Sequence, residues 1–181
     1  MTAPSITRDE LLAAIPNLRA FAISLCGNRD SADDLVQDTL MRAWSNMDRY
    51  TAGTNLHAWL FTILRNSFFS RHRKIVREVE DADGSYASRL STAPEQQAHL
   101  DLQDFQRALM KLSADQREAL LLVGAEGYSY EEAARICGCA EGTIKSRVNR
   151  ARNRLAELLG LENGGDLGVD QVVMAALPRA A

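Results

Sequence analysis

The side chains able to do covalent or metal chemistry are few and scattered. Cys137 and Cys139 form a C-x-C, but the third cysteine, Cys26, and the histidines His57, His72 and His99 lie far from them in sequence. A structural metal site takes about four thiolate or imidazole ligands, commonly from two paired motifs. The expectation is therefore small buried or turn residues, since a free thiol packs as a small hydrophobe. Three cysteines with no pairing framework fit a reducing cytoplasm. Asp33, Asp34 and Asp38 cluster, and Asp33 with Asp38 could suggest an acid–base pair, but no pocket chemistry accompanies them. Neither catalysis, a metal, a cofactor nor a small-molecule substrate is expected.

Charge is more informative. The chain holds 21 Lys and Arg against 24 Asp and Glu, a net charge of −3. Yet the stretch GTIKSRVNRARNRL (142–155) carries five cations, Lys145, Arg147, Arg150, Arg152 and Arg154, and no acid. A second basic patch has Arg49, Arg65, Arg71, Arg73, Lys74 and Arg77, with no acid between Asp48 and Glu78. Two basic patches flanking an acidic stretch suggest a polyanion held at two points.

Helices must position these groups. Capping-box patterns, in which an N-cap hydroxyl and an N3 acid or amide satisfy each other's backbone donors, occur at Thr7–Glu10, Thr92–Glu95, Ser113–Gln116 and Ser129–Glu132. Ser31 with Asp34 is a weaker version. Between them apolar residues recur at helical spacing, as in Leu35, Leu40, Ala43, Trp44 and Met47, then Leu56, Leu60, Ile63 and Leu64. Strand-like alternation is absent, so the chain reads as all-α, with two small helical domains joined by a flexible linker. The expected divisions are 1–77, a linker at 78–93 (EVEDADGSYASRLSTA), 94–160, and a tail at 161–181 with a short amphipathic helix. The N-terminus lacks the pattern of a secretory signal, and the longest apolar run, Val172 to Leu177, is too short to span a bilayer.

From Ser129 the chain reads SYEEAARICGCAEGTIKSRVNRARNRL. A capped helix turns Ala134 inward, Gly138 suits the turn, and Ile144 and Val148 bury a second helix against the first. This is the pattern of a helix-turn-helix whose second helix can enter a major groove. Thr143, Lys145, Ser146, Arg147, Asn149 and Arg150 lie in its first two turns, within reach of base edges. Few acids lie four residues from these cations, so self-pairing is expected to be weak.

In NLHAWLFTILRNSFFSRHRK the aromatics Trp59, Phe61, Phe68 and Phe69 interleave with Arg65, Asn66, Arg71, His72, Arg73 and Lys74. Stacking platforms beside cations grip unstacked single-strand bases. Trp44 and Trp59, in phase with the apolar stripe, are expected in the core. Asn66, Arg71 and Arg73, at the end of that helix, are expected to be exposed.

DDLVQDTLMRAW, WLFTILRN and GYSYEEAARICGCAEGTIKSRVNRARNRL resemble regions 2 and 4 of the extracytoplasmic-function (ECF) bacterial RNA polymerase sigma factors, over about residues 10–160. FAISLCGN, REVEDADG and LLLVGAEGYSYEEAA are similar to the general-stress-response type of alphaproteobacteria. The resemblance implies that Asp34, Leu35, Val36, Gln37 and Asp38 dock on the polymerase core. It also implies that Asn66 lies beside a pocket for a flipped −10 base, with Arg65, Arg71, His72, Arg73 and Lys74 around it, and that residues 50–56 form the neighbouring specificity loop. Thr143, Lys145, Ser146, Arg147, Asn149 and Arg150 would read the −35 element. The acidic run at 78–83 could thread the nascent-RNA path. The implied partners are RNA polymerase core, promoter DNA and a small helical (NepR-like) anti-sigma factor, with no membrane. The alternatives are a sigma-like mimic that sequesters the inhibitor, or a stand-alone helix-turn-helix regulator. Both leave features unexplained: the mimic the intact basic helix, the regulator DDLVQDTL and the aromatic-basic stretch.

Overall fold

A computed structural model describes residues 8–81 and 97–160, with side chains described at 8–74 and 103–160. Among these residues there are helices and no strands. They are α1 (Arg8–Cys26), α2 (Arg29–Ser45), a 3₁₀ turn (Met47–Arg49), α3 (Leu56–Asp81), α4 (Gln97–Met110), α5 (Ala114–Leu120), a π turn (Leu121–Ala125), α6 (Tyr130–Cys137) and α7 (Glu141–Leu159). The caps expected at Thr7 and Thr92, most of the expected linker, and the tail lie outside the described residues.

The first three helices pack around an apolar seam. Leu11, Ala14, Leu18, Phe21, Ala22 and Leu25 of α1 recur every three or four residues and are buried. They meet Ala32, Leu35, Val36 and Ala43 of α2 and Leu60, Phe61 and Leu64 of α3. Phe21 and Phe61 pack edge to face with ring centroids 4.7 Å apart. The start of α2 is set by Asn28, whose side chain accepts from Ser31 N at 2.8 Å, and not by Ser31 with Asp34. Gly27 has φ +77°, which places the cap directly after α1. Helix α3 runs to Asp81, so Asn66, Arg71 and Arg73 lie within the helix and not at its end.

Trp44 departs from expectation: it is 58% exposed, whereas Trp59 is half-buried against Tyr50. At 100° per residue, Trp44 sits a quarter-turn beyond Ala43, which takes the inward position. With Met41, 63% exposed, it forms an apolar patch on the outside of α2.

In the second unit, Ser113 and Ser129 cap α5 and α6 with full capping boxes, as the sequence indicates. Gly138 (φ +63°) ends α6 in the left-handed conformation and turns the chain into α7. Ala133, Ala134, Ile136 and Cys137 then face Ile144, Val148, Ala151 and Leu155 in one buried layer.

The two units touch directly. A Cβ added at Gly27 would lie 2.8 Å from Met110 Cε, so α4 ends against the α1–α2 turn. Phe61 packs edge to face on Tyr128 at 5.9 Å. Arg117 of α5 donates to the carbonyl of Leu25 at the end of α1, and to Leu112 O at 3.1 Å.

Candidate nucleic-acid and polymerase interface

Helix α7 has a buried side and a free side. Ile144, Val148, Ala151 and Leu155 define the buried one. On the opposite side lie Asn149, Arg150 and Asn153, all exposed, with Ser146 half-buried among them. Asn153 donates to Asn149 Oδ1 at 3.0 Å. Thr143 and Lys145 flank this face.

Arg147 differs from its expected neighbours. It lies three residues after Ile144 and four before Ala151, on the edge of the packed side, and its side chain is only 25% exposed. Nη2 is 3.2 Å from Asp115 Oδ1 in the first turn of α5. Pairing on α7 is also stronger than expected. Lys145 Nζ sits 2.6 Å from Glu141 Oε1 one turn earlier and lies over the Tyr130 ring at 5.7 Å. Arg154 pairs with Glu157 at 2.8 Å. The hydrogen bond to Glu141 raises the Lys145 pKa, so this cation stays charged.

On α3, Asn66, His72, Arg73 and Lys74 are exposed. The Arg65 guanidinium lies over the Phe69 ring at 4.9 Å, and Phe68 stacks with His72 at 6.1 Å. Arg71 and Arg65 are engaged within the chain. Arg71 pairs with Asp38 of α2. Arg65 Nε is 2.8 Å from Oε1 of Glu118, whose side chain is fully buried in α5. Burial pushes the Glu118 carboxyl up to about 7, with Arg65 pulling it back.

On α2, Asp34 and Gln37 are exposed and Asp38 is partly so, whereas Leu35 and Val36 are 1% and 6% exposed. Those two hold the helix onto its neighbours and present no surface. The apolar surface of α2 is Met41 and Trp44 instead.

Sequence reasoning missed Asp115, Arg117 and Glu118. A signal existed: in DQREALLLVGA a cation and an acid stand directly against a continuous apolar run. A charge in that position must find a partner when the run is buried. No group of His, Cys, Asp and Glu among the described residues could hold a metal ion. No described helix is long and apolar enough to cross a membrane.

Two helical units of this kind match known families. Residues 12–78 match Sigma-70 region 2, and residues 102–155 match Sigma-70, region 4. Fold and surface together define a transcription initiation factor of the sigma-70 kind. The chain is 63% identical over 170 residues to the ECF RNA polymerase sigma factor EcfG of Rhodopseudomonas palustris, covering 94% of both chains. It is similar to the sigma factor RpoE of Bartonella quintana, solved in complex with the anti-sigma factor NepR, with 61% identity, a TM-score of 0.77, and coverage of 86% of this chain and 98% of that one. The PhyRSL–NepR complex of Sphingomonas sp. Fr1, at 22% identity and a TM-score of 0.62 over 87% and 93% of the chains, shares the fold alone. The chain belongs to the ECF RNA polymerase sigma factors and matches their general-stress-response type.

Proposed function

We propose a division of labour among three surfaces, by which this sigma factor directs polymerase core to its promoters. The outer face of α7, with Asn149, Arg150, Ser146, Thr143 and Lys145, reads the −35 duplex, and Arg147 orients that helix. Arg donates to guanine O6 and N7, while cations nearer the helix end hold phosphates. The α3 surface around Asn66, with Arg65, Arg71, His72, Arg73 and Lys74, takes the opened −10 strand. Stacking and hydrogen bonds there offset a few kcal/mol of base unpairing. The α2 surface, Asp34, Gln37 and Asp38 with Met41 and Trp44, docks on the polymerase core. Residues 1–77 and 94–160 act as the two promoter-binding units, with 78–93 between them.

Polymerase supplies the chemistry, so the factor is no enzyme and needs no cofactor, and it acts in the cytoplasm. A small NepR-like anti-sigma factor is its inhibitor, by analogy with the Bartonella complex. The observation carrying the reading is the coexistence of the exposed polar face of α7 around Asn149, Arg150 and Asn153 and the cation–aromatic row on α3. Run-off transcription with purified core polymerase, with and without this chain, on its own operon's promoter tests it. Promoter-specific transcripts are expected. Their absence, with the chain binding only an anti-sigma factor, would overturn it in favour of a mimic.

A further inference from the structure

We infer that Cys137 and Cys139 form a peroxide-sensitive thiol pair, whose oxidation to a disulfide within the α6–α7 turn disarms α7. The site stands on the chemistry of that turn. Its effect on transcription rests on the reading of α7 as the −35 helix.

The backbone brings the two residues within bonding reach. Cys137 ends α6, Gly138 takes the left-handed conformation at φ +63°, and Cys139 follows. Gly138 N donates to Arg135 O at 3.3 Å and Cys139 N to Ala134 O at 3.1 Å, which fixes the turn. Two residues span at most about 7 Å when fully extended, and this turn folds them back. A disulfide asks for a Cα separation of about 4.4–6.8 Å. Little backbone movement is needed, and the Cys137 side chain has only to rotate out of its layer. A ring closed over one residue is strained, and strained disulfides are the readily reduced ones. The bond is therefore reversible.

The surroundings give each sulfur its own part. Cys139 is half-buried and Cys137 is 4% exposed, so peroxide meets Cys139 first. Arg147 Nη1 lies 4.0 Å from Cys139 Sγ, where it can donate to a departing oxygen. Burial and the adjacent Glu118 carboxyl push the Cys137 thiol up, so it needs a base before it can react. Glu118 supplies one: it is fully buried, its carboxyl is pushed up to about 7 by burial, and its Oε2 takes no hydrogen bond among the described residues. A base poised near neutrality is suited to that transfer.

The Cys139 sulfur attacks one peroxide oxygen and the O–O bond breaks. Hydroxide leaves, takes the thiol proton and becomes water, and Cys139 is a sulfenic acid. Cys137 then passes its proton to Glu118 while its sulfur bonds to that of Cys139. The S–O bond breaks, and the second hydroxide takes the proton back from Glu118. Two thiols and one hydrogen peroxide thus give one disulfide and two waters, the thiols supplying both electrons. The new bond draws Cys137 out of the layer it shares with Ile144 and Val148, and Cys139 away from Arg147. Arg147 also pairs with Asp115, so the attachment of α7 to α5 is disturbed.

The test treats the full chain with hydrogen peroxide, removes the excess with catalase, and follows mass, peptide map and transcription. Wild type is expected to lose two hydrogens, mapped to the tryptic peptide Ile136–Lys145, and to regain them with dithiothreitol. With core polymerase, the oxidised chain should give at least about fivefold fewer run-off transcripts than the reduced one, the low end of typical coupling between sites. Cys139→Ser should keep both its mass and its transcripts. Cys137→Ala should stop at a sulfenic acid on Cys139, captured by dimedone, and Cys139→Ser decides alone if that variant fails to fold. Cys26→Ser should behave as wild type. A wild type that keeps its two hydrogens, or a crosslink that maps to Cys26, overturns the site. A disulfide at 137–139 that leaves transcription unchanged overturns its effect. No transcripts from the reduced chain would defeat the proposed function instead, while the mass still scores the site.

Discussion

Arg147 of α7 and Asp115 of α5 form an ion pair at 3.2 Å, with the arginine three-quarters buried. A cation that the sequence places among the base readers thus joins α7, the helix proposed to face DNA, to its scaffold. Arg147→Ala is expected to weaken binding equally on all promoter sequences and to cost about 1 kcal/mol of stability, as a partly shielded charged pair does. Arg150→Ala should instead cost about 1–3 kcal/mol of discrimination at specific −35 positions. Competition binding across a panel of −35 variants, with thermal melts of each protein, separates the two roles. Sequence-selective loss in Arg147→Ala would return that residue to base contact.

Asn66 is exposed in the middle of α3, beside Arg65 and its Phe69 platform. Asn66→Ala should leave binding to −35 duplex unchanged while slowing promoter opening. Duplex affinity by anisotropy and opening followed by a fluorescent base at −10 provide the comparison.

Trp44 and Met41 can be removed without opening a cavity, because both are exposed. Trp44→Ala is expected to weaken co-purification with core polymerase at unchanged melting temperature. Leu35→Ala, in the buried layer, should lose about 2–5 kcal/mol of stability by leaving a cavity. Asp38→Arg is the poorer probe, since it also breaks the pair with Arg71. Unaltered polymerase binding by Trp44→Ala would remove the patch from the docking surface.

Two carboxyls at the contact between the units are pushed up to about 7. Glu118 is raised by burial, facing Arg65, Cys137, Asp115 and Arg147. Glu126 is raised by burial alone. It borders a cleft of about 320 Å³ lined also by Asn17, Asn55, His57, Tyr128 and Glu132. The packed form holds these protons more tightly than the unfolded chain, whose carboxyls titrate near 4.5. Stability is therefore fullest below about 4.5, on account of these groups, and falls as pH rises toward 7, levelling above it. Urea melts between pH 5 and pH 8 should show that decline, and Glu126→Gln should flatten part of it. A wild-type slope unchanged in Glu126→Gln and Glu118→Gln alike would assign it to other groups.

Much of this was legible in the residues. The helical period, the capping boxes at Ser113 and Ser129, Gly138 in its turn, and Ile144 with Val148 facing inward are local features, fixed by spacing and backbone chemistry. Quoted segments such as DDLVQDTLMRAW and GTIKSRVNRARNRL sufficed for the family, because their residue types and order are characteristic. Periodicity was weaker wherever a neighbour decided the outcome. It put Trp44 in the core, but only the arrangement of α1, α2 and α3 determines which part of the apolar stripe is covered. It offered Arg147 to the DNA, but the side chain is claimed by an acid 32 residues away.

By itself the sequence determined the helices, their order, the two basic surfaces and the family. Tertiary structure decided which cations are free. Charge is carried by the chain, but its availability depends on what packs beside it. Arg65 and Glu118 lie more than fifty residues apart, and only the closing of two helical units makes them one buried pair.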